Sequence, residues 1–509
     1  MSTHVNPVDT AGTESVAPDT GAAKTFDSLN PRDGTVLATY PIEDADSVRA
    51  AVDRARVTAH WWAGLGFDGR SILLRRWAGL LARRMPELTE VVSGETGKPH
   101  SDAQLEIVLA VDHLNWAARH ARRVLGPRHH SPGMMLANFS ATLRYEPLGV
   151  IGVIGPWNYP VFTPMGSISY ALAAGNTVVF KPSEYTPGVG RWLAESLREI
   201  IPDKPVLQVV TGFGETGAAL CRAGVDKIAF TGSARTGRAV MATCAETLTP
   251  VVIEGGGKDS LLVDEDADLD AAADAAVWGG MSNAGQTCTG VERVYVHQKV
   301  YDEFIAKLVA KTTELRAGGD PQDKIGPITM PKQLRIIREH IDDALRRGGR
   351  ALVGGKDAVG DPFVQPTVLV DVPEDSRAVT EETFGPTLTV AKVRDMDEAV
   401  ERANATRYGL GNTVYARRRS IEIARKLRSG MVSINSVIAF AGIPSLPFGG
   451  VGDSGFGRIH GADGLREFAR PKAIARRLFR VPLDITTFSK TERSDRLVAA
   501  LTRALYGRK

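Results

Sequence analysis

Between Gly149 and Gly257 the chain repeats one unit: a short β-branched apolar run, a turn marked by glycine or proline, then a stretch with helical spacing. The runs read "GVIGVIG", "NTVVFKP", "VLQVVTG", "KIAFTGS" and "PVVIEGG", separated by stretches such as "GVGRWLAESLREI". Apolar runs without alternation suit strands buried on both faces, and strands joined by helices make a parallel sheet. The expected fold class is therefore α/β, with a doubly wound parallel sheet. A second α/β region follows from about Ser260, and "REFARPKAIARRLF" near the end reads as one more strand. Before the repeats, "TYPIEDADSVRAAVDRARVTAHWW" to "LNWAARHARRVL" is mainly helical, and Pro127 to Gly149 reads as a hairpin.

At 509 residues the chain exceeds one ordinary core, so two or three domains are expected. Lys+Arg of 62 against Asp+Glu of 59, without a basic block, argues against nucleic acid and for a small-molecule partner. Three cysteines without paired spacing fit a reducing compartment, and the cytoplasm is expected. No apolar run reaches the ~18 residues of a membrane span. Residues 1–25, rich in small and polar types, are expected to be a flexible tail. In the tail 483–509, Leu497, Leu501 and Leu505 share one helical face; packing on the enzyme is favoured over contact with a membrane surface.

The strand ends carry the chemistry. "GFGETG", Gly212 to Gly217, matches a dinucleotide fingerprint but lacks the acidic residue expected after the next strand, so it counts as a glycine-rich turn. "FTGSARTG" is the better phosphate cradle, because Gly232 and Ser233 open a helix whose N–H groups are free. In "FKPSEYTP", Lys181 and Glu184 suit ribose hydroxyls, and the carboxylate would repel a 2′-phosphate. "GPWNYP" holds Asn158 in a rigid loop, where its amide can serve an oxyanion. "IEGGGKD" sets Glu254 beside three glycines. "NAGQTCTG" places Cys288 among small and polar residues, unlike Cys221 and Cys244, whose neighbours are more apolar. Each motif singly also has an ordinary reading as a turn, a cap or a solvated charge.

Together they resemble the aldehyde dehydrogenase superfamily, from about Phe26 to Arg480. The resemblance rests on "PWNYP", "KPSEYTP", "FTGS", "EGGGK", "NAGQTC", "EETFGP" and "PFGGVGDSGFGR", in family order. It implies a dinucleotide domain of residues 26–125 and 145–255, a catalytic domain of 256–463, and a bridging flap of 126–144 and 464–482 that pairs subunits into a homodimer or homotetramer. It implies Cys288 as nucleophile, Glu254 as general base and Asn158 as oxyanion donor. Trp157, Lys181, Ser183, Glu184, Gly232, Ser233, Gly255, Glu382 and Phe384 are the implied cofactor contacts, and no metal is assigned. The cofactor is NAD by the argument from Glu184, although relatives with similar motifs also accept NADP. The chain departs from the pattern at Gly255, where leucine is usual and a looser loop is expected, and at Asp453, where lysine is frequent and a subunit or loop contact is expected to change.

These residues imply aldehyde oxidation to a carboxylic acid through a thiohemiacetal and a thioester on Cys288, whose polar surroundings are expected to help it ionise. A catalytically silent dinucleotide-binding member of the fold would be expected to lose Cys288 or Asn158. A thiol esterase would leave Lys181, Glu184 and Ser233 idle. The entrance segment "NSVIAFAGIPSL" contains no Arg, Lys or His, and its Val437, Ile438, Phe440 and Ile443 suggest medium-to-long aliphatic or aromatic aldehydes. Succinate semialdehyde is the alternative, with Arg293 as the cation that would reach its carboxylate.

Overall fold

The computed structural model describes residues 24–320, 322–481 and 487–507. The expected N-terminal tail falls outside the described residues except for Lys24 and Thr25, and Thr25 already opens the strand Thr25–Leu29. Five runs read from the sequence form one sheet, in the spatial order Val251–Glu254, Lys227–Thr231, Val150–Ile154, Thr177–Lys181, Leu207–Val209, all parallel. Chain order reverses direction at Val150–Ile154. Its carboxyl end, beside that of Lys227–Thr231, is the switch point at which such sheets bind ligands.

A second sheet of seven strands has Asp259–Val263 between Val291–His297 and Gly411–Tyr415, and is parallel except where Arg350–Val353 pairs with Thr367–Val370. The two sheets are stitched together. Gly455–Phe456 leaves the second region and pairs antiparallel with the first sheet, Gly455 opposite Glu254. Helix His100–Leu125 packs on helix Phe162–Ala174, and the second of these is almost wholly buried behind the switch point.

A small antiparallel sheet joins Arg128–His130, Phe139–Pro147 and Ala469–Arg477. Ala469 is buried, and the rest of its strand leads the chain away from the body, exposed throughout. Helix Glu492–Tyr506 therefore behaves differently from the packing favoured by its leucine stripe. It buries no residue on this chain, and Leu497 stays 57% exposed. No helix among the described residues is long and apolar enough to cross a membrane.

Candidate active site

Three consecutive residues before the cysteine adopt left-handed backbone: Asn283 at φ 51°, Ala284 at φ 56° and Gly285 at φ 70°. Such geometry costs a non-glycine residue about 1–3 kcal/mol and persists only where its surroundings over-determine it. Here they do. The Asn283 amide donates to the carbonyls of Asn158 and Gln286, its N–H donates to Asp102, and the Gln286 side chain bonds Asn283, Pro327 and Thr329. The turn delivers Cys288 to the junction of two cavities, a large cleft on the switch-point side and an apolar pocket beyond it.

The Cys288 thiol faces the Glu254 carboxylate, Sγ to Oε1 3.7 Å, and Thr231 donates to the other Glu254 oxygen at 3.4 Å. Burial raises the Glu254 carboxyl to about 7, against the lowering effect of these two hydrogen bonds. The thiol is raised well above its ordinary value by burial and then by Glu254, Asp259 and Glu382. This corrects the expectation that the surroundings assist ionisation: three carboxyl groups oppose the thiolate. Glu254 is the adjacent group able to take the thiol proton.

Asn158 lies at the base of the same cleft. Its Nδ2 donates one proton to the Gln286 carbonyl at 2.9 Å, leaving a second N–H. Its backbone carbonyl accepts from Lys98 Nζ at 2.7 Å, and Lys98 also bonds Glu106 Oε1 at 2.8 Å. The other Glu106 oxygen receives the N–H groups of Val161 and Phe162, the start of helix Phe162–Ala174. Both side chains are fully buried. One ion pair thus grips both ends of the loop that carries Asn158.

The cleft, about 710 Å³, takes in every residue expected for the cofactor, from Trp157 and Lys181 through Gly232 and Gly255 to Glu382 and Phe384. Strand Thr177–Lys181 ends on Lys181, whose ammonium donates to the Pro182 carbonyl, and Ser183 donates to Glu184 at 3.3 Å. Ser233 caps helix Ala234–Ala245 by accepting from Thr236 N–H, which sets the helix N-terminus towards the cleft. A dinucleotide pyrophosphate fits this donor set. Glu382 accepts from Gly257 N–H, and burial lifts its carboxyl to about 8. Behind it, a second buried pair, Lys258 with Glu292, pins the loop: Glu292 receives the N–H groups of Thr383 and Phe384. The edge of the Trp157 ring meets Phe384 at 5.6 Å.

Other sequence expectations are corrected here. Gly255 does not loosen its loop, because a Cβ there would lie 2.6 Å from the Asp453 carbonyl; the missing side chain lets residues 453–454 close on it. Asp453 makes a contact within the chain, bonding Arg238 at 2.7 Å and approaching Arg407 at 3.4 Å. Arg293 is buried with its guanidinium on the carbonyls of Lys258, Arg402 and Ala403, and lines neither cavity.

From the entrance segment only Ile438 and Ala441 line the apolar pocket. Phe440 is buried in the core, Val437 packs on the second core, and Ile443 is exposed. Much of the remaining apolar wall comes from Leu105, Leu109, Phe162, Trp278 and Phe448. Of these only Phe448 lies in a quoted motif, "PFGGVGDSGFGR"; the long helix His100–Leu125 supplies two of the others from a periodic sequence. Cys221 and Cys244 are buried in an apolar cluster with Phe230 and Ile253.

Residues 18–474 match the aldehyde dehydrogenase family. The mitochondrial aldehyde dehydrogenase of Leishmania tarentolae is 38% identical over 463 residues, 89% of this chain and 92% of its own length. A Sinorhizobium fredii protein named a probable succinate-semialdehyde dehydrogenase (NADP(+)) is 36% identical over 456 residues, covering 88% and 92%. The crystal structure of an NAD-dependent aldehyde dehydrogenase from Sinorhizobium meliloti superposes with a TM-score of 0.87 at 35% identity, covering 93% of this chain and 95% of that one.

The Lys98–Glu106 pair generates a stability prediction. Glu106→Leu strands a buried ammonium and lowers stability by about 3–5 kcal/mol, whereas the double change Lys98→Met/Glu106→Leu recovers only part of that loss, since the N–H groups of Val161 and Phe162 stay unpaired. Thermal melting of the three proteins checks it; equal melting points for Glu106→Leu and the parent would contradict the burial argument.

Proposed function

This chain belongs to the aldehyde dehydrogenase family, and on that premise we propose that it oxidises medium-to-long aliphatic or aromatic aldehydes with Cys288, Glu254 and Asn158 as its catalytic groups. It is an NAD(P)-dependent aldehyde dehydrogenase. The observation carrying the assignment of roles is the position of Cys288: 3.7 Å from Glu254, between a cleft that fits a dinucleotide and a pocket lined by apolar side chains.

Glu254 draws the proton from Cys288, and the thiolate attacks the aldehyde carbon to form a thiohemiacetal. The remaining Asn158 N–H holds the oxyanion, a contribution of typically ~3 kcal/mol to the barrier. A bound nicotinamide dinucleotide would supply the hydride acceptor for this carbon. Trp157, Ser183, Ser233, Gly255 and Glu382 would hold that cofactor, with Lys181 and Glu184 placed to serve its ribose hydroxyls. Glu254 releases its first proton to solvent; water then cleaves the thioester left on Cys288, Glu254 taking the water proton and returning it to the departing sulfur, so the carboxylic acid leaves and the thiol is restored.

The pocket supports the substrate class. Among the described residues it is lined by no lysine or arginine; of the two carboxyls on its wall, Glu106 is already paired with the buried Lys98, and Glu254 faces the thiol. A distal carboxylate would be desolvated there without a cation, at a cost of several kcal/mol. The name of the Sinorhizobium fredii relative supports succinate semialdehyde as the second reading. Glu184 supports NAD over NADP. The exposed edge strand Ala469–Arg477 supports assembly into a homodimer or homotetramer, because an uncovered edge invites pairing. Three free thiols support a cytoplasmic location.

A series from acetaldehyde to decanal, with benzaldehyde and succinate semialdehyde alongside, tests the substrate. Each methylene raises kcat/KM by up to ~4-fold until the pocket is full, from ~0.8 kcal/mol per buried CH₂. Highest efficiency with succinate semialdehyde, and no rise with chain length, would overturn the apolar reading.

The Glu254 role gives a pH signature. Its carboxyl, near 7, must be ionised to act, so turnover falls as pH drops through about 7. Because Glu254 serves both steps, Glu254→Gln slows the single-turnover burst of reduced cofactor and stalls turnover after it, whereas Cys288→Ala forms no burst at all. For the cofactor, Glu184→Gln raises kcat/KM for NADP relative to NAD; an unchanged ratio places the discrimination elsewhere.

A further inference from the structure

His460 is built into the apolar pocket at evident cost. It is 1% exposed, and neither ring nitrogen has a hydrogen-bond partner. Of the residues lining the pocket, it alone carries fully buried side-chain nitrogens in that condition among the described residues. Buried polar groups are nearly always paired, so the exception asks for a partner that protein atoms do not supply. The backbone is unusual as well: His460 has φ 63° and ψ 165°, a region that is essentially glycine's.

That conformation is imposed from both sides. Phe448 and Ile459 exchange backbone hydrogen bonds at 2.7 and 2.9 Å, and Gly461 N–H donates to the Pro444 carbonyl at 3.1 Å. Helix Phe162–Ala174 makes room: a Cβ at Gly166 would stand 2.5 Å from His460 Nε2. The neighbouring His113, its ring centroid 4.0 Å away, contrasts with His460. His113 Nε2 meets the Ala441 carbonyl at 3.0 Å and its Nδ1 lies 3.4 Å from the Tyr170 hydroxyl. Burial and the proximity of His113 hold the His460 imidazole well below its ordinary pKa, so it stays neutral and offers one donor and one acceptor.

We propose that His460 is a specificity-determining residue of the aldehyde site: its imidazole hydrogen-bonds a hydroxyl carried by the part of the substrate held in the apolar pocket, so hydroxy-substituted aldehydes are favoured over their unsubstituted counterparts. The proposal rests on the aldehyde-oxidising reading of the site and deepens it. A hydroxyl is the matching chemistry because it both donates and accepts. A carboxylate is not, because the neutral ring supplies no cation and Glu254 stands on the same wall.

The test measures kcat/KM for matched pairs, octanal with 8-hydroxyoctanal and benzaldehyde with 3- and 4-hydroxybenzaldehyde, and takes the hydroxy-to-plain ratio in each protein. Comparing ratios between proteins cancels the intrinsic reactivity of the aldehydes. In His460→Leu the ratio falls by about fivefold to tenfold in at least one pair, the worth of one hydrogen bond. His460→Gly, which suits the observed φ, provides a second variant should leucine prevent folding. Its ratio falls likewise, and added imidazole restores it. Unchanged ratios in both variants, as for a ring that only packs or holds a water, overturn the proposal; so does an equal loss with plain and hydroxylated aldehydes. A parent protein that oxidises no aldehyde at all overturns the underlying reading. Intact oxidation with unchanged ratios overturns only the role of His460.

Discussion

The buried pair of Lys98 and Glu106 is the interaction on which the geometry around the thiol depends. Its members come from the region before the first sheet, yet between them they take the Asn158 carbonyl and the N–H groups of Val161 and Phe162. The Asn158 carbonyl also receives Asn283, which stabilises the left-handed turn ahead of Cys288. Lys258 and Glu292 repeat the device on the opposite wall, holding Thr383 and Phe384. Two ammonium–carboxylate pairs, each spending its spare hydrogen-bonding capacity on loop backbone, make rigid loops out of segments that propensity alone would leave mobile. Buried pairs are weak evidence for net stability, because desolvation offsets their attraction. Their directional bonds to backbone are what matter here.

Electrostatics in this interior runs against a free thiolate. Carboxyl groups outnumber cations near Cys288, and burial raises the thiol and the Glu254 acid together. The proton is therefore best described as belonging to the pair, available to move from sulfur to carboxylate when an electrophile approaches. The same Glu254, near neutrality, is poised to accept a proton from water afterwards. One residue serves both steps because it is buried, not because a cation activates it.

The pocket shows a division of labour between elements. The helices His100–Leu125 and Phe162–Ala174 and the residues near Phe448 supply apolar surface, and one constrained histidine adds an unpartnered polar ring. Selectivity in such a pocket comes from what the wall leaves unpaired as much as from its area.

The parallel sheet was legible from the β-branched runs, because strands buried on both faces need apolar side chains throughout. Cys288, Glu254 and Asn158 were legible because chemistry confines a thiol, a carboxylate and an amide to short glycine- and proline-bounded turns at strand ends. The roles of Lys98, Glu106 and Glu292 were not, since a lysine in a turn, or a glutamate on a periodic helix or strand, looks solvated until packing buries it. The entrance loop misled for the same reason: Phe440 and Ile443 are equally apolar, and only the tertiary path sends one into the core and the other to the surface. Gly255 and Asp453 took their meaning from a backbone approach across the two regions. The sequence by itself determined the strand order's raw material and the reactive groups, since both follow from local composition. The tertiary structure alone decided the proton affinities, the pocket wall and the unpaired state of His460, because burial and long-range contact are properties of the folded chain.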